Sequence, residues 1–249
     1  MFKNFVALTN TLNLLVMKTT VYLSLFIAFV LLVSCKKSDK KADMSPPVKK
    51  LKYITHSTMV QGNTTTFSDC TYDDKKRLST VKAGDNTTTY NYNGNFLFSI
   101  ETTNPTGYRK TTEHYYNDDG TLASTRDRIY RNNVLSSDNT FTYIIANGRI
   151  TERHYEIFID KFTYDNRGNP ISIYSGQGGF TTESTYDDKP NVNINGAPNP
   201  NGLYFSPNNL ISDGTITHTY TYDADGYPIG SVLVTPAGTT KYAYTYTEL

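Results

Sequence analysis

One motif returns along this chain and constrains its fold more than any other feature. Its clearest copies are Phe162-Thr163-Tyr164-Asp165-Asn166-Arg167-Gly168-Asn169-Pro170-Ile171 and Tyr220-Thr221-Tyr222-Asp223-Ala224-Asp225-Gly226-Tyr227-Pro228-Ile229. A third runs from Tyr115 through Asn117-Asp118-Asp119-Gly120 to Leu122. Degenerate copies begin at Tyr72, Tyr92, Tyr143 and Tyr186. The anchor tyrosines Tyr72, Tyr92, Tyr116, Tyr143, Tyr164, Tyr186 and Tyr222 lie 20, 24, 27, 21, 22 and 36 residues apart. Alternation of ring and hydroxyl residues before each anchor makes a strand. Asp or Asn then opens a type I turn by accepting a backbone N–H, and Gly three residues on supplies the left-handed residue. An aliphatic run such as Ile171-Ser172-Ile173 starts the return strand. The reading is an all-β antiparallel meander of about 14 strands, built from about 7 hairpin repeats over residues 51–249.

Alternation also sorts the faces. In Thr217-His218-Thr219-Tyr220-Thr221-Tyr222 the rings share one side and the threonines the other, and Lys241-Tyr242-Ala243-Tyr244-Thr245-Tyr246 repeats the pattern. A flat sheet with one exposed aromatic face would aggregate, so the sheet must curl into a barrel-like or half-barrel form. His218, Tyr220, Tyr222, Tyr242, Tyr244 and Tyr246 are therefore the candidate ligand-binding residues. Aromatics make up 13% of the chain, yet Trp is absent, which weighs against stacking of sugars. The stretch from Asp187 to Asp213 breaks the rhythm with four prolines and seven asparagines. A loop of this length is functional or plugs a structure, and Leu203-Tyr204-Phe205 within it is expected to enter the aromatic interior.

The N-terminus reads as an address. Val21 to Val33 is apolar apart from Ser24 and the hydroxyl of Tyr22, too short to span a bilayer and suited to a signal-peptide core. Lys18 precedes it, and Met17 is the more natural start than Met1. The run ends in Leu32-Val33-Ser34-Cys35, which resembles the bacterial lipoprotein box. Residues 1–34 are read as the signal peptide, Cys35 as the lipidated residue, and 35–50 as a flexible tether. Cys70 then has no partner for a disulfide and is expected to be a buried small hydrophobe.

Composition excludes several functions. A formal net charge of +1 leaves no basic field for a nucleic acid backbone. No zinc-hydrolase signature, serine elbow or phosphate loop occurs. His56, His114, His154 and His218 could approach one another across a sheet, but filling the aromatic face is the better account of them. Glu156, by alternation, shares a face with Phe158 and Phe162. Asp118-Asp119-Gly120 and Asp223-Ala224-Asp225-Gly226 echo a calcium loop without its distal Glu, and turn chemistry explains both. The reading is a chain with no cofactor, no metal and no catalytic residue.

The Tyr-Asp turns are similar to the tyrosine–aspartate repeats of Rhs-type shells. More closely, the mature chain resembles a family of lipoproteins of unknown function from Bacteroidetes-type bacteria, described as porin-like. The Cys35 box, Tyr186-Asp187-Asp188-Lys189-Pro190-Asn191, Asn208-Asn209-Leu210-Ile211, the Tyr222 turn and Tyr244-Thr245-Tyr246-Thr247-Glu248 carry the resemblance. It implies a curved, barrel-like sheet and no assigned activity. Outward threonines and charges argue against a transmembrane barrel. The expected protein is an outer-membrane lipid-anchored binding module, periplasmic or at the cell surface, for a glycan, lipid or peptide. The alternative is an accessory component of an outer-membrane complex, with a protein partner.

Overall fold

The computed structural model describes residues 51–203 and 206–249. The signal-peptide, lipidation and tether readings fall on residues 1–50 and lie outside the described residues. The strands are β1 (Lys52–Gln61), β2 (Thr64–Tyr72), β3 (Leu78–Ala83), β4 (Asn86–Asn93), β5 (Phe96–Thr103), β6 (Tyr108–Tyr116), β7 (Leu122–Arg131), β8 (Val134–Ala146) and β9 (Arg149–Tyr155). They continue as β10 (Phe158–Tyr164), β11 (Pro170–Ser175), β12 (Phe180–Glu183), β13 (Thr185–Pro190), β14 (Asn208–Ser212), β15 (Thr217–Tyr222), β16 (Pro228–Thr235) and β17 (Gly238–Glu248). A single 3-10 turn, Pro200–Gly202, is the only helical piece among the described residues.

All seventeen strands belong to one antiparallel sheet, and successive strands pair except across Ser184. β1 also pairs with β17, from Lys52↔Glu248 to Gln61↔Thr240, so the sheet closes into a barrel. A ring of antiparallel neighbours needs an even number of strands, and seventeen is odd. β12 and β13 must therefore run the same way, as two halves of one strand interrupted at Ser184. The pairings agree: β12 lies on β11, β13 lies on β14, and the Ser184 N–H donates to the Ile171 carbonyl, continuing the β11 ladder. The ring is thinnest between β14 and β15, joined at the single pair Ser212↔Thr217.

Two features account for the strands beyond the expected fourteen. Tyr246 on β17 is an eighth anchor, and Thr247, Glu248 and Leu249 after it carry no Asp or Asn turn opener of the kind that marks the others. The Ser184 break divides one strand in two. The fourth anchor is also displaced. Ile145, paired with Ile150 beside the Asn147-Gly148 turn, holds the place that Tyr92 holds opposite Leu97. Tyr143 sits one inward position earlier and bonds to Thr125 Oγ1 at 2.8 Å.

The anchors other than Tyr143 stand at β-bulges. The register slips between Thr71 and Tyr72, Asn91 and Tyr92, Tyr115 and Tyr116, and Thr163 and Tyr164. The extra residue on the return strand turns outward, as Phe98, Ile171 and Ile229 do, and the residue facing the anchor turns inward. These inward residues form the core: Leu78, Leu97, Leu122, Ile150 and Pro228 are buried, with Tyr53 and Ile54. The anchor hydroxyls then stitch neighbouring strands together. Tyr72 donates to the Ile54 carbonyl (2.8 Å), Tyr92 to Leu78 (2.8 Å), Tyr116 to Leu97 (2.9 Å), Tyr164 to Ile150 (2.6 Å), Tyr186 to Pro170 (3.0 Å) and Tyr246 to Pro228 (2.8 Å). In each pair the acceptor begins the preceding strand, at the barrel end where no turn joins the two.

The turns at that end obey the predicted chemistry. Asp165 Oδ1 accepts from the Arg167 and Asn169 N–H groups, Asp165 Oδ2 accepts from the Asn169 amide, and Gly168 has φ 91. Asp187 repeats this with a partner far along the chain: Asn209 supplies its N–H and its side-chain amide to the two carboxylate oxygens. Asp165 and Asn169 are 4 residues apart, whereas Asp187 and Asn209 are 22 apart. The proline- and asparagine-rich stretch is thus an insertion into one hairpin turn, and Asn209 closes that turn as Asn169 closes its own. Both asparagines are buried.

The insertion lies across the end of the barrel. The Leu78 N–H donates to the Gly196 carbonyl (2.7 Å), and Asn195 Nδ2 donates to the Lys52 carbonyl and Tyr227 hydroxyl. The Leu122 N–H donates to Asn201 Oδ1, and Asn201 Nδ2 donates to the Gly148 carbonyl. These contacts reach β1, β3, β7, the β8–β9 turn and the start of β16, which stand around the ring. The segment is a cap, as its length suggested. Leu203 lines the interior with Tyr143, Phe162 and Tyr164, while residues 204 and 205 lie outside the described residues.

Candidate functional site

The faces of the wall locate the site. On β15, β17 and β2 the outward positions are mostly hydroxylated or charged: Thr217, Thr219 and Thr221, Lys241 and Thr245, and Thr65, Asp69 and Thr71 are exposed, with single apolar residues such as Phe67, Phe98 and Ile229 among them around the wall. Inward positions on β15 and β17 carry the rings. Toward the uncapped end the inward side turns polar, with Lys110 paired to Asp127 (2.9 Å) and Arg153 to Asp160 (2.5 Å). A ligand surface in this barrel is therefore interior, above the cap.

The predicted residues stand there as two ladders. On β15, His218 stacks on Tyr220 (5.6 Å, 12°), and Tyr220 lies 6.1 Å from Tyr222. On β17, Tyr242 and Tyr244 are parallel at 6.3 Å, and Tyr246 meets Tyr227 at 5.6 Å. β16 separates the ladders, and its small Ser231, opposite both Tyr220 and Tyr242, bonds to the Tyr244 hydroxyl at 3.0 Å. Tyr222 bonds to Asp187 and Tyr246 to the Pro228 carbonyl, so these two belong to the framework. Burial first, and then neighbouring phenols and Asp187, pushes the Tyr220 hydroxyl well above its ordinary range. Burial lowers His218, partly offset by Asp213, so it stays neutral near pH 7.

Beside the β17 ladder the wall recedes. Tyr244 pairs with Ser57, and Ser57 pairs with Ser68, so two serines sit next to a ring. The recess has a volume of about 360 Å³, with Cys70, Val81, Tyr90 and Ile100 around it and Asn193, Ala197 and Pro198 of the cap as its floor. That is within the ~300–1,000 Å³ range of small-molecule sites. Burial, and then Asp69, raises the Cys70 thiol to about 11. Cys70 is only half-buried, so it borders the recess instead of packing fully in the core as expected. The signal for this recess was present in the sequence. Alternation counted back from Tyr72 places Cys70, Ser68 and Thr66 on the inward face, a row of small side chains that a search for rings and ionisable groups passes over.

A second cavity, about 470 Å³, lies between the cap and the turns that precede β3, β5 and β7. Its one cation, Arg77, is committed: it pairs with Asp73 at 2.6 Å, donates to the Gly94 carbonyl and covers the Tyr92 ring at 3.9 Å. The histidines do not converge. His56 and His154 are outward and pair with Asp69 and Glu152, while His114 and His218 point inward from separate strands. Glu156 departs from the expectation. It occupies the exposed β9–β10 turn with φ 51 and leaves the aromatic face, because the turn ends the alternation before Phe158.

No family model and no curated protein matches the chain. Among solved structures it is similar to a porin-like protein from Bacteroides vulgatus, 14% identical with a TM-score of 0.45, covering 80% of this chain and 100% of that one. It is also similar to a porin-like protein from Bacteroides uniformis, 13% identical with a TM-score of 0.40, covering 77% of this chain and 96% of that one.

Proposed function

We propose that this chain is an envelope-anchored, non-catalytic binding module, a cup that holds its ligand inside the barrel above the cap. One observation carries the reading: the inserted turn crosses one mouth, so the ring-lined interior is a blind chamber. Threonines and charged residues along the outer faces of β2, β15 and β17 support a barrel beside a membrane instead of through it, since a lipid-facing wall needs an unbroken apolar band. The lipoprotein box at Cys35 supports anchoring by acyl chains, outer-membrane in location. Titration of the full chain in nanodiscs with neutral envelope lipids, oligosaccharides and peptides tests the module. Saturable binding by one class is the expected result, and a panel with none removes the reading. Labelling with an alkyne fatty acid tests the anchor, which requires incorporation in the natural chain and its loss in Cys35→Ala.

A second reading has its own observation. Three successive turns at the uncapped rim expose Val134, Leu135, Ile157 and Phe180, with Ile157 87% and Val134 68% exposed. Such an arc suits a partner protein of an envelope complex. Cross-linking followed by purification of the natural chain and of an Ile157→Asp, Val134→Asp variant separates this reading. A partner retained equally by both leaves it without support.

A further inference from the structure

We infer that the recess among β1–β5 takes an uncharged, largely apolar molecule that presents a hydroxyl or carbonyl oxygen, such as a medium-chain alcohol or a neutral acyl ester. The inference rests on the binding-module reading and assigns its ligand class. Three observations carry it. First, the walls are apolar: Val81 and Ile100 face the space with the Tyr90 ring, and the cap contributes Ala197 and Pro198. Second, no charged side chain lines it among the described residues, so a carboxylate or ammonium placed there would lose hydration without a counter-ion. Third, several of its polar groups are uncommitted, although the Tyr72 hydroxyl in the same lining is bonded to the Ile54 carbonyl. Among the described residues the hydroxyls of Ser57, Ser68 and Tyr90 border the recess without a hydrogen-bond partner in the protein, whereas the anchor hydroxyls all have one. Three open hydroxyls on apolar walls match a ligand with one or two oxygens on a hydrocarbon body.

Cys70 makes the recess measurable, because its thiol borders the space a ligand would fill. The full chain in nanodiscs is treated with N-ethylmaleimide, and Cys70 alkylation is followed by peptide mass mapping, which resolves it from Cys35. The probes are 1-octanol, octane and octanoate. Octanol is expected to slow Cys70 alkylation saturably, octane to act more weakly, and octanoate to have no effect. The double variant Ser57→Ala, Ser68→Ala removes hydroxyls that bond to nothing in the protein, so it folds as the natural chain does. It should raise the octanol concentration for half-protection about fivefold, the loss of one or two net hydrogen bonds. Protection by octanoate equal to that by octanol overturns the inference, as does a serine variant with unchanged protection. If octanol fails to protect while another ligand of the panel binds saturably, this assignment falls and the binding-module reading stands. If the whole panel is silent, both fall.

Discussion

A tyrosine one residue past a β-bulge does two jobs in this barrel. Its ring turns inward against an aliphatic residue, and its hydroxyl reaches a carbonyl at the base of the preceding strand. An inward carbonyl without a donor would cost more than a solvated one, so the hydroxyl is structural. Tyr72→Phe should lower stability by about 1 kcal/mol in urea denaturation. Tyr115→Phe is its control: Tyr115 lies one residue earlier, is exposed and bonds only to Glu113, so its change should be near zero. The turn aspartates carry a pH signature. Burial raises the Asp165 carboxyl, but donors from Asn169 and Arg167 outweigh it and hold it at about 2, below the ordinary 3.8. A depressed carboxylate contributes stability that is complete above its unfolded value and lost as pH falls through its folded one. Asp165→Asn should therefore flatten the stability profile between pH 4 and 2. His114 acts in the same direction at higher pH. Burial lowers it to about 4 from 6.5, partly offset by the Phe98 carbonyl and Asp127, so its cost grows as pH falls from 6.5 to 4. His114→Gln should reduce the slope in that window.

At the scale of elements, the cap is the feature that changes what the barrel can do. It entered as an insertion into a turn, and the turn survived because Asn209 takes up the two bonds that Asn169 makes in an uninterrupted copy. Its seat depends on a glycine. Gly196 has φ +75, and a Cβ there would meet the Tyr72 ring at 2.7 Å and the Lys76 carbonyl at 2.8 Å. Gly196→Ala should cost about 1–3 kcal/mol and open the 191–207 segment to proteolysis, read as faster cleavage under native conditions. The repeat was legible in the sequence because turn chemistry is local: Asp, Gly and the following N–H groups lie within a few residues. The bulges were not, since a bulge is a relation between two strands. Alternation alone therefore put Ile171 and Ile173 on one face, whereas the structure turns Ile171 outward and Ile173 inward.

The whole molecule is held by closure. β1 pairs with β17 along its length, which leaves no edge on either strand. Removing β17 should expose β1 and β16 together and yield aggregation, followed by light scattering. A closed wall with inward phenols also predicts alkaline behaviour. Burial raises Tyr116 to about 12, and burial, opposed by Arg77, raises Tyr92 to about 12, from the ordinary 10. A raised phenol contributes stability that is complete below pH 10 and lost as pH climbs through 12. Phenolate absorbance should accordingly rise in two steps: exposed tyrosines first, then the anchors together as the barrel unfolds.

The all-β class, the antiparallel meander, the anchors Tyr72, Tyr92, Tyr116, Tyr164, Tyr186 and Tyr222, the two faces of β15 and β17 and the segment that caps were all legible in the sequence. All of these follow from period-two alternation and from turn residues acting on near neighbours. Closure of the sheet through β1 and β17, completion by Asn209 of the turn begun at Asp187, and the place where the interior recedes all depend on contacts between distant residues. The recess arises because Ser57 and Ser68, paired across the β1–β2 hairpin, come side by side next to Tyr244 from the far end of the chain. Local rules assign each side chain a face, but pairing across the ring sets which small residues meet and leave space.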